Sequence, residues 1–566
     1  MSSAKSRLRS QEWWSGGDYY SYARRAWLQS EGFSRDVFDG RPVIGICNSW
    51  SELNNCNAHL RTVAEAVKRG VWSAGGFPLE FPTISLGEML MRPTAMMFRN
   101  LMAMDVEECI RANPIDAVVL LCGCDKTTPA QLMGAASADV PAIVVPGGPM
   151  LSGQWRDRKL GAGTDGRKLF DLFRAGGITE EDWTEIQCGL ARSAGHCTVM
   201  GTASTMTSLA EALGMALPGS ANIPAVDSRR LVSAEMSGRR AVELAREDIR
   251  PSRIMTARAF ENAITVDMAI GGSTNAVVHL IAIAGRLGLS LPLDEFDRIS
   301  RRTPCIANVK PSGEYLMEDF FQAGGVAAVM REVLHLLHGG ELTVSGRTLA
   351  ENVENAVCYR TEVIRPIPEA LSQEGGTVVL HGNLAPDGAV LKQTAASEHL
   401  LRHTGPAYVF ESYEDMRRQI DREDLPVTPQ SVLVMKNCGP KGGPGFPEWG
   451  HIPMPRVLLR QGVTDIVRLS DARMSGTSFG TVVLHVAPES AVGGPLAAVR
   501  TGDEIQLDVE RRSISAMLSD AELKARLETR QPSAKFYERG YARLFIDHVL
   551  QANEGCDFDF LRAMPR

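Results

Sequence analysis

Along the first two-thirds of the chain, short runs of consecutive apolar residues alternate with stretches in which apolar residues recur every third or fourth position. Pro42-Val43-Ile44-Gly45-Ile46-Cys47 is one such run. A polar loop from Asn48 to Asn55 follows, and then Leu60, Val63, Ala64, Val67 and Val71 fall at helical spacing. The order returns at Ala117 to Leu121, a continuous apolar run of the kind a strand buried on both faces shows. After it come Cys122-Gly123-Cys124-Asp125-Lys126 and a helix that Pro129 suits in its first turn. A third helix follows Gly195-His196-Cys197, with Met206, Leu209, Ala210 and Leu213 on one face. The pattern predicts an α/β fold with a parallel sheet, in which loops leaving strand ends hold the ligands.

The texture changes near residue 370. Thr377 to Leu380, Ser431 to Met435 and Asp465 to Leu469 are short apolar runs separated by Gly, Pro, Asn and Asp, which predicts a smaller domain rich in strands. We divide the chain into residues 1–370 and 371–566. No fixed-period repeat or low-complexity tract appears, which sets aside solenoids and propellers.

Composition narrows the function classes. The 566 residues carry a net charge of −7 spread along the chain, with no basic block to neutralise a phosphate backbone, so nucleic acid is not an expected partner. An apolar content of 44% and a charged content of 22% are those of a globular protein. The longest apolar stretch, Val277 to Leu291, is broken by His279 and Arg286 and falls short of the ~20 apolar residues of a membrane helix. The first residues carry charge without a following apolar run, unlike a secretory signal, so the expected compartment is the cytoplasm. There the eleven cysteines would remain thiols.

Three of them share a setting. Cys56, Cys124 and Cys197 each lie in a polar or glycine-containing loop just before a helix, where the partial positive charge of the helix N-terminus would favour a metal-binding thiolate. Their spacing matches no zinc or ferredoxin signature, and the other eight read as packing residues. Asp125 and Lys126 follow Cys124, Glu88 ends Ser85-Leu86-Gly87-Glu88, and Glu448 follows the Gly/Pro-rich loop 439–447. Such carboxylates suit a hydrated Mg2+. A plainer account stands beside this, with Asp125 capping the next helix, Lys126 paired to a carboxylate and Glu88 a solvated charge. The Gly/Pro loop lacks the Gly-Lys-Ser/Thr of a phosphate-binding loop and reads as a rigid wall. The Leu469–Gly480 segment contains no Gly-x-Ser-x-Gly elbow, and its hydroxyls also fit turn formation. Residues 270–276 open an apolar helix, either as an anion site on free amides or through a simple cap at Ser273 or Thr274.

Taken together, Asn48–Leu60, Gly123–Ala130, Gly195–Met206, Gly271–Ala276, Gly382–Val390, Gly442–Glu448 and the Ser475 segment resemble the dihydroxyacid and sugar-acid dehydratase family nearly end to end. The resemblance implies an N-terminal α/β domain and a smaller C-terminal β-barrel-like domain with the active site between them, in a homodimer or homotetramer. It implies that Cys56, Cys124 and Cys197 hold an iron-sulfur cluster, and that Glu88, Asp125, Lys126 as a carbamate, and Glu448 surround Mg2+. Ser475 stands at the position of the base, with Thr477 beside it at the substrate. The reaction implied removes water from a 2,3-dihydroxy acid, with both metal centres acting as Lewis acids.

Ser-Asp-Ala-Arg-Met-Ser-Gly-Thr-Ser and Gly-Cys-Asp-Lys-Thr-Thr-Pro-Ala look like the sugar-acid members, which favours an aldonate such as arabinonate, xylonate or galactonate and a 2Fe–2S rather than a 4Fe–4S cluster. The rival substrates are the branched 2,3-dihydroxy acids of amino-acid biosynthesis. A non-catalytic iron-sulfur protein is a third reading, one that calls for a fourth protein ligand and no adjacent Mg2+. Two features depart from the family pattern: Asn55, where a proline is common, and Gly195-His196 before Cys197.

Overall fold

A computed structural model describes residues 8–529 and 537–564. In the N-terminal region four parallel strands, β1 (Val43–Asn48), β2 (Phe77–Pro82), β3 (Ala117–Cys122) and β4 (Ala142–Pro146), form a sheet of order β2-β1-β3-β4. Every residue of β1 and β3 is buried, which is why both read as unbroken apolar runs. Helices Leu60–Ser73 and Thr127–Ala138 follow β1 and β3, and Thr202–Ala212 follows the Cys197 loop, as the spacing predicts. A hairpin of β5 (Gly153–Trp155) and β6 (Arg158–Leu160) precedes the helix Thr164–Arg174.

The C-terminal region is a closed eight-stranded barrel. It is built from β7 (Val378–Gly382), β8 (Ala385–Leu391), β9 (Arg402–Phe410), β10 (Val432–Met435), β11 (Arg468–Ser470), β12 (Val482–Leu484), β13 (Glu504–Asp508) and β14 (Ser513–Ala516). Around the barrel the order is β10-β11-β12-β8-β7-β14-β13-β9, so no strand is left with an open edge. Leu380, Leu391, Val434, Leu469, Val483 and Ile505 belong to its core. The predicted strand at Asp465–Leu469 is displaced toward its C-terminal end. Asp465 is not a strand residue: its carboxylate pairs with Arg468 at 2.8 Å and accepts the Thr481 N–H at 2.9 Å.

The two regions meet along a tight seam. Thr164 Oγ1 donates to the Thr477 carbonyl at 2.7 Å. Gly163, at φ +99°, lies so close that a Cβ there would stand 2.5 Å from Thr477, and a Cβ on Gly476 would stand 2.6 Å from Ser273 Oγ. Backbone of the barrel's 470s segment thus packs directly on the N-terminal domain.

Candidate active site

The N-terminal candidates for metal binding, apart from Cys197, sit beyond the C-terminal ends of parallel strands, whereas Ser273 and Thr274 lie between two helices. Cys56 follows β1, Glu88 follows β2, and Cys124, Asp125 and Lys126 follow β3. This is where open parallel sheets bind ligands. Cys197 arrives from a separate loop pinned to the one after β4, since His196 N donates to Gly148 O at 3.0 Å and Met150 N to His196 O at 2.9 Å. Glu448 and Ser475 follow the barrel strands β10 and β11.

The three thiols converge. Cys56 is within hydrogen-bond reach of Cys124, and the charges of Cys124 and Cys197 both bear on it. Helix N-termini alone would acidify these thiols; for Cys56 and Cys197 the structure shows the opposite. Cys56 is raised well above the usual thiol value by its hydrogen bond to Cys124 and by burial, and burial together with Asp125 pushes Cys197 up to about 12. Local backbone bonds set the loops: Cys56 N donates to Asn54 Oδ1 at 3.2 Å, and Cys124 N to Thr127 Oγ1 at 2.9 Å. Three thiols drawn together, of which Cys56 and Cys197 are costly to ionise alone, fit a cationic iron centre that would stabilise them as thiolates.

The hard-ligand residues also come together. One carboxylate oxygen from each of Glu88, Asp125 and Glu448 lies within 4.8 Å of the other two. Lys126 is fully buried among them, its Nζ 3.2 Å from Glu88 Oε2, 3.4 Å from Asp125 Oδ2 and 3.6 Å from Glu448 Oε1. Burial pulls the ammonium down, but Glu88 and the other two carboxylates outweigh it and leave Lys126 raised. Burial also pushes Glu88 up, yet Lys126 and Arg473 hold it below the usual carboxylate range; Glu448, pushed up by burial and by Glu88, stays raised. The polar neighbour of Glu88 Oε2 is the Lys126 ammonium, at 3.2 Å. Three converging carboxylates fit a divalent hard cation. Asp125 does not cap the following helix, whose N-cap residue is Lys126 with no side-chain cap bond, and Glu88 is half-buried rather than solvated.

Sequence reasoning gave no role to Arg473, which is fully buried beside the cluster. Its Nη1 lies 2.9 Å from Glu448 Oε1, its Nη2 donates to Thr94 Oγ1 at 3.3 Å, and Thr94 Oγ1 donates to Glu88 Oε1 at 2.8 Å. Asn275, in the segment 270–276, completes the ring. Its Nδ2 donates to Glu448 Oε1 at 3.1 Å and to the Met474 carbonyl at 3.0 Å. In that segment Ser273 Oγ accepts the Asn275 N–H and Ser273 N donates to Thr205 Oγ1, so these two amides are occupied. The Gly/Pro loop similarly spends its Lys441 and Gly442 amides on the Glu489 carboxylate, at 2.9 and 2.8 Å.

Ser475 Oγ lies 3.0 Å from Thr477 Oγ1 and 3.4 Å from Thr477 N. His59 donates from Nε2 to the Gly147 carbonyl at 2.8 Å, and burial pulls it down to about 4, which leaves it a neutral strut under the β4 loop. A cavity of about 520 Å3 reaches Glu448 from the surface between the helices Thr164–Arg174 and Tyr413–Gln419.

Comparison with known proteins shows the family. The family model described as dihydroxy-acid/6-phosphogluconate dehydratase N-terminal matches residues 41–352, and its C-terminal counterpart matches residues 362–556. The chain is 55% identical to L-arabonate dehydratase of Azospirillum brasilense, over 99% of this chain and 98% of that one. It is 54% identical to L-arabinonate dehydratase of Rhizobium leguminosarum bv. trifolii, over 98% and 96% of the two chains. Identity to 6-deoxy-6-sulfo-D-gluconate dehydratase of Pseudomonas putida is 49%, again over 98% and 96%. Dihydroxy-acid dehydratases, such as that of Caldicellulosiruptor saccharolyticus, match at 41% over 91% of this chain and 94% of theirs.

Proposed function

The chain belongs to the dihydroxy-acid/6-phosphogluconate dehydratase family, and on that premise we propose that it dehydrates a 2,3-dihydroxy sugar acid to the 2-keto-3-deoxy acid. The acid is an aldonate such as arabinonate, xylonate or galactonate. The observation that carries the reading is the convergence of Glu448, from the barrel, with Glu88 and Asp125 of the N-terminal domain, where Asn275 bonds both Glu448 and the carbonyl of Met474, the residue before Ser475. The higher identity to sugar-acid dehydratases than to dihydroxy-acid dehydratases supports the substrate class.

In this reading residues 1–370 supply Cys56, Cys124 and Cys197 for a 2Fe–2S cluster and Glu88, Asp125 and carbamylated Lys126 for Mg2+. Residues 371–566 supply Glu448 and Ser475. When bound, the two centres supply Lewis acidity to the oxygens at C2 and C3 and to the carboxylate. Ser475 Oγ, as the alkoxide, takes the C2 proton, and the C3 hydroxyl leaves as water with the proton that Ser475 hands on, which restores the alkoxide. The resulting enol then tautomerises to the ketone. The alkoxide form of Ser475 gains hydrogen bonds from Thr477 Oγ1 and Thr477 N, both already aimed at Ser475 Oγ. Arg473 and Asn275 orient Glu448 by donating to the same oxygen.

The proposal extends to setting and assembly. No helix among the described residues is long and apolar enough to cross a membrane, and all eleven cysteines are free, which supports a reducing compartment, the cytoplasm. The helix Tyr19–Ser30 exposes Tyr19, Tyr20, Tyr22 and Trp27, an apolar surface that supports a homodimer or homotetramer.

The test is kcat/KM for keto-acid formation across C5 and C6 aldonates and 2,3-dihydroxyisovalerate. A preference for the branched acid of tenfold or more, about 1.4 kcal/mol in the transition state, would assign the chain to the biosynthetic dihydroxy-acid reaction instead.

A further inference from the structure

Most charged groups lining the cavity that reaches Glu448 are already paired. Arg174 bonds both Asp171, at 3.0 Å, and Asp421, and Arg456 lies 3.7 Å from Asp421. Arg456 Nε is buried without a hydrogen bond but keeps that ion pair. Arg167 Nε is likewise buried without a hydrogen-bond partner; its charge bears on Asp171, yet among the described residues no carboxylate is in ion-pair contact with it, and Nδ1 of His451, on the same wall, is also unpartnered. Arg167 and His451 line the same cavity as Glu448, which puts the guanidinium on the wall that leads to the carboxylate cluster. Its backbone position is fixed. Thr164, three residues earlier and therefore on the same helix face, donates to the Thr477 carbonyl two residues from Ser475.

A partly buried guanidinium with an unused donor is costly unless a ligand satisfies it. The reacting carbons are assigned to the carboxylates and Ser475, so the group reaching Arg167 is the rest of the molecule. We propose that Arg167, assisted by His451, binds the oxygen-rich tail of the acid beyond C3, and so determines which chain lengths and end groups are accepted. That tail is either the distal hydroxyls of a C5 or C6 aldonate or a terminal sulfonate or phosphate. Both present oxygen acceptors, and a planar fork of donors suits either. The inference rests on the function proposed above and names the part of the substrate that the metal centres do not read.

The experiment compares the parent enzyme with Arg167→Gln and Arg167→Lys, each checked for iron content and thermal midpoint. Glycerate, a pentonate, a hexonate and a 6-sulfohexonate serve as substrates. Arg167→Gln should lower kcat/KM for the longer acids at least about 30-fold, mainly through KM, and leave glycerate within about threefold. With Lys, recovery on the sulfonate alone identifies an anionic tail, and recovery on neither or both identifies the hydroxyls, because Lys keeps the charge and loses the fork. An equal loss on glycerate and the long acids, or no loss on the long acids, overturns the proposal. If the parent dehydrates none of the sugar acids, the proposed function fails separately, and quenching of Trp449 fluorescence by the hexonate then decides: binding unchanged in Arg167→Gln overturns the role of Arg167. If the Gln variant does not fold, Arg167→Lys is read by the same ratio of long-acid to glycerate activity.

Discussion

Asn55 and Gly195 hold one another across two loops: Gly195 N donates to the Asn55 carbonyl at 3.1 Å, and Asn55 Nδ2 donates back to the Gly195 carbonyl at 3.4 Å. The two departures from the family pattern are therefore one contact, and it ties the loop of Cys56 to the loop of Cys197. Asn55→Ala should leave the fold intact while iron is lost to a chelator several-fold faster than from the parent. An unchanged rate of iron loss would remove the contact from any part in retaining the cluster.

Replacing Cys56, Cys124 or Cys197 with Ser should abolish brown colour and bound iron together, whereas Cys305→Ser, in a buried position away from the three, should keep both. Iron and sulfide analysis of folded protein decides this. Full iron and sulfide in Cys124→Ser would sink the assignment.

For Lys126, the expected form in the active enzyme is a carbamate, which converts a cation among three carboxylates into a fourth anionic ligand. Enzyme prepared with 13C-bicarbonate and Mg2+ should give a carbamate carbon resonance that Lys126→Met lacks. The Met variant should lose Mg2+ affinity by at least about tenfold, a change of about 1.4 kcal/mol, by calorimetric titration. A parent spectrum without that resonance at saturating Mg2+ would count against the modification.

Ser475→Ala should preserve the cluster spectrum and substrate binding and lower kcat by about a thousandfold or more, with loss of proton exchange at C2. A folded, cluster-replete Ala variant with kcat within about tenfold of the parent, a loss below about 1.4 kcal/mol, would show that Ser475 is not the base.

A pH effect on stability follows from a buried pair at the base of the segment 270–276. Burial pushes Asp267 up to about 8 and pulls Lys392 down to about 8, and neither side chain has a hydrogen-bond partner. Between the ordinary carboxylate pKa and about pH 8 the folded protein keeps a proton on Asp267 that the unfolded chain has lost. Stability from this group therefore falls as pH rises through that window. Asp267→Asn should flatten the slope of the unfolding free energy between pH 5 and pH 8 in urea titrations. An unaltered slope would show that Asp267 is ionised throughout in the fold.

Residues 117–121 illustrate what was legible in the sequence. A strand buried on both faces needs only apolar side chains, so its pattern is local and complete. The same is true of the helix from Leu60, and of the family motifs that bring Glu88, Asp125, Lys126 and Glu448 into view. Barrel closure was not readable from pattern: β11 and β12 have three residues each, and β8 pairs with β12 across a long stretch of chain. The role of Arg473 is invisible in its motif, because its partners Glu448 and Thr94 lie 25 and 379 positions away. Arg167 had no motif at all. What singles it out is an unsatisfied donor in a cavity, which exists only after folding. Acidic thiols at Cys56 and Cys197 fail for a related reason: helix ends are local, whereas the Cys124 contact and the burial that raise them come from residues distant in the chain.

The close packing of Gly163 on Thr477 and of Gly476 on Ser273 leaves no room for a side chain on either side of the Ser475 segment. A methyl group at either glycine would act as a wedge, pushing the barrel off the N-terminal domain and pulling Glu448 away from the Glu88 and Asp125 carboxylates it now meets.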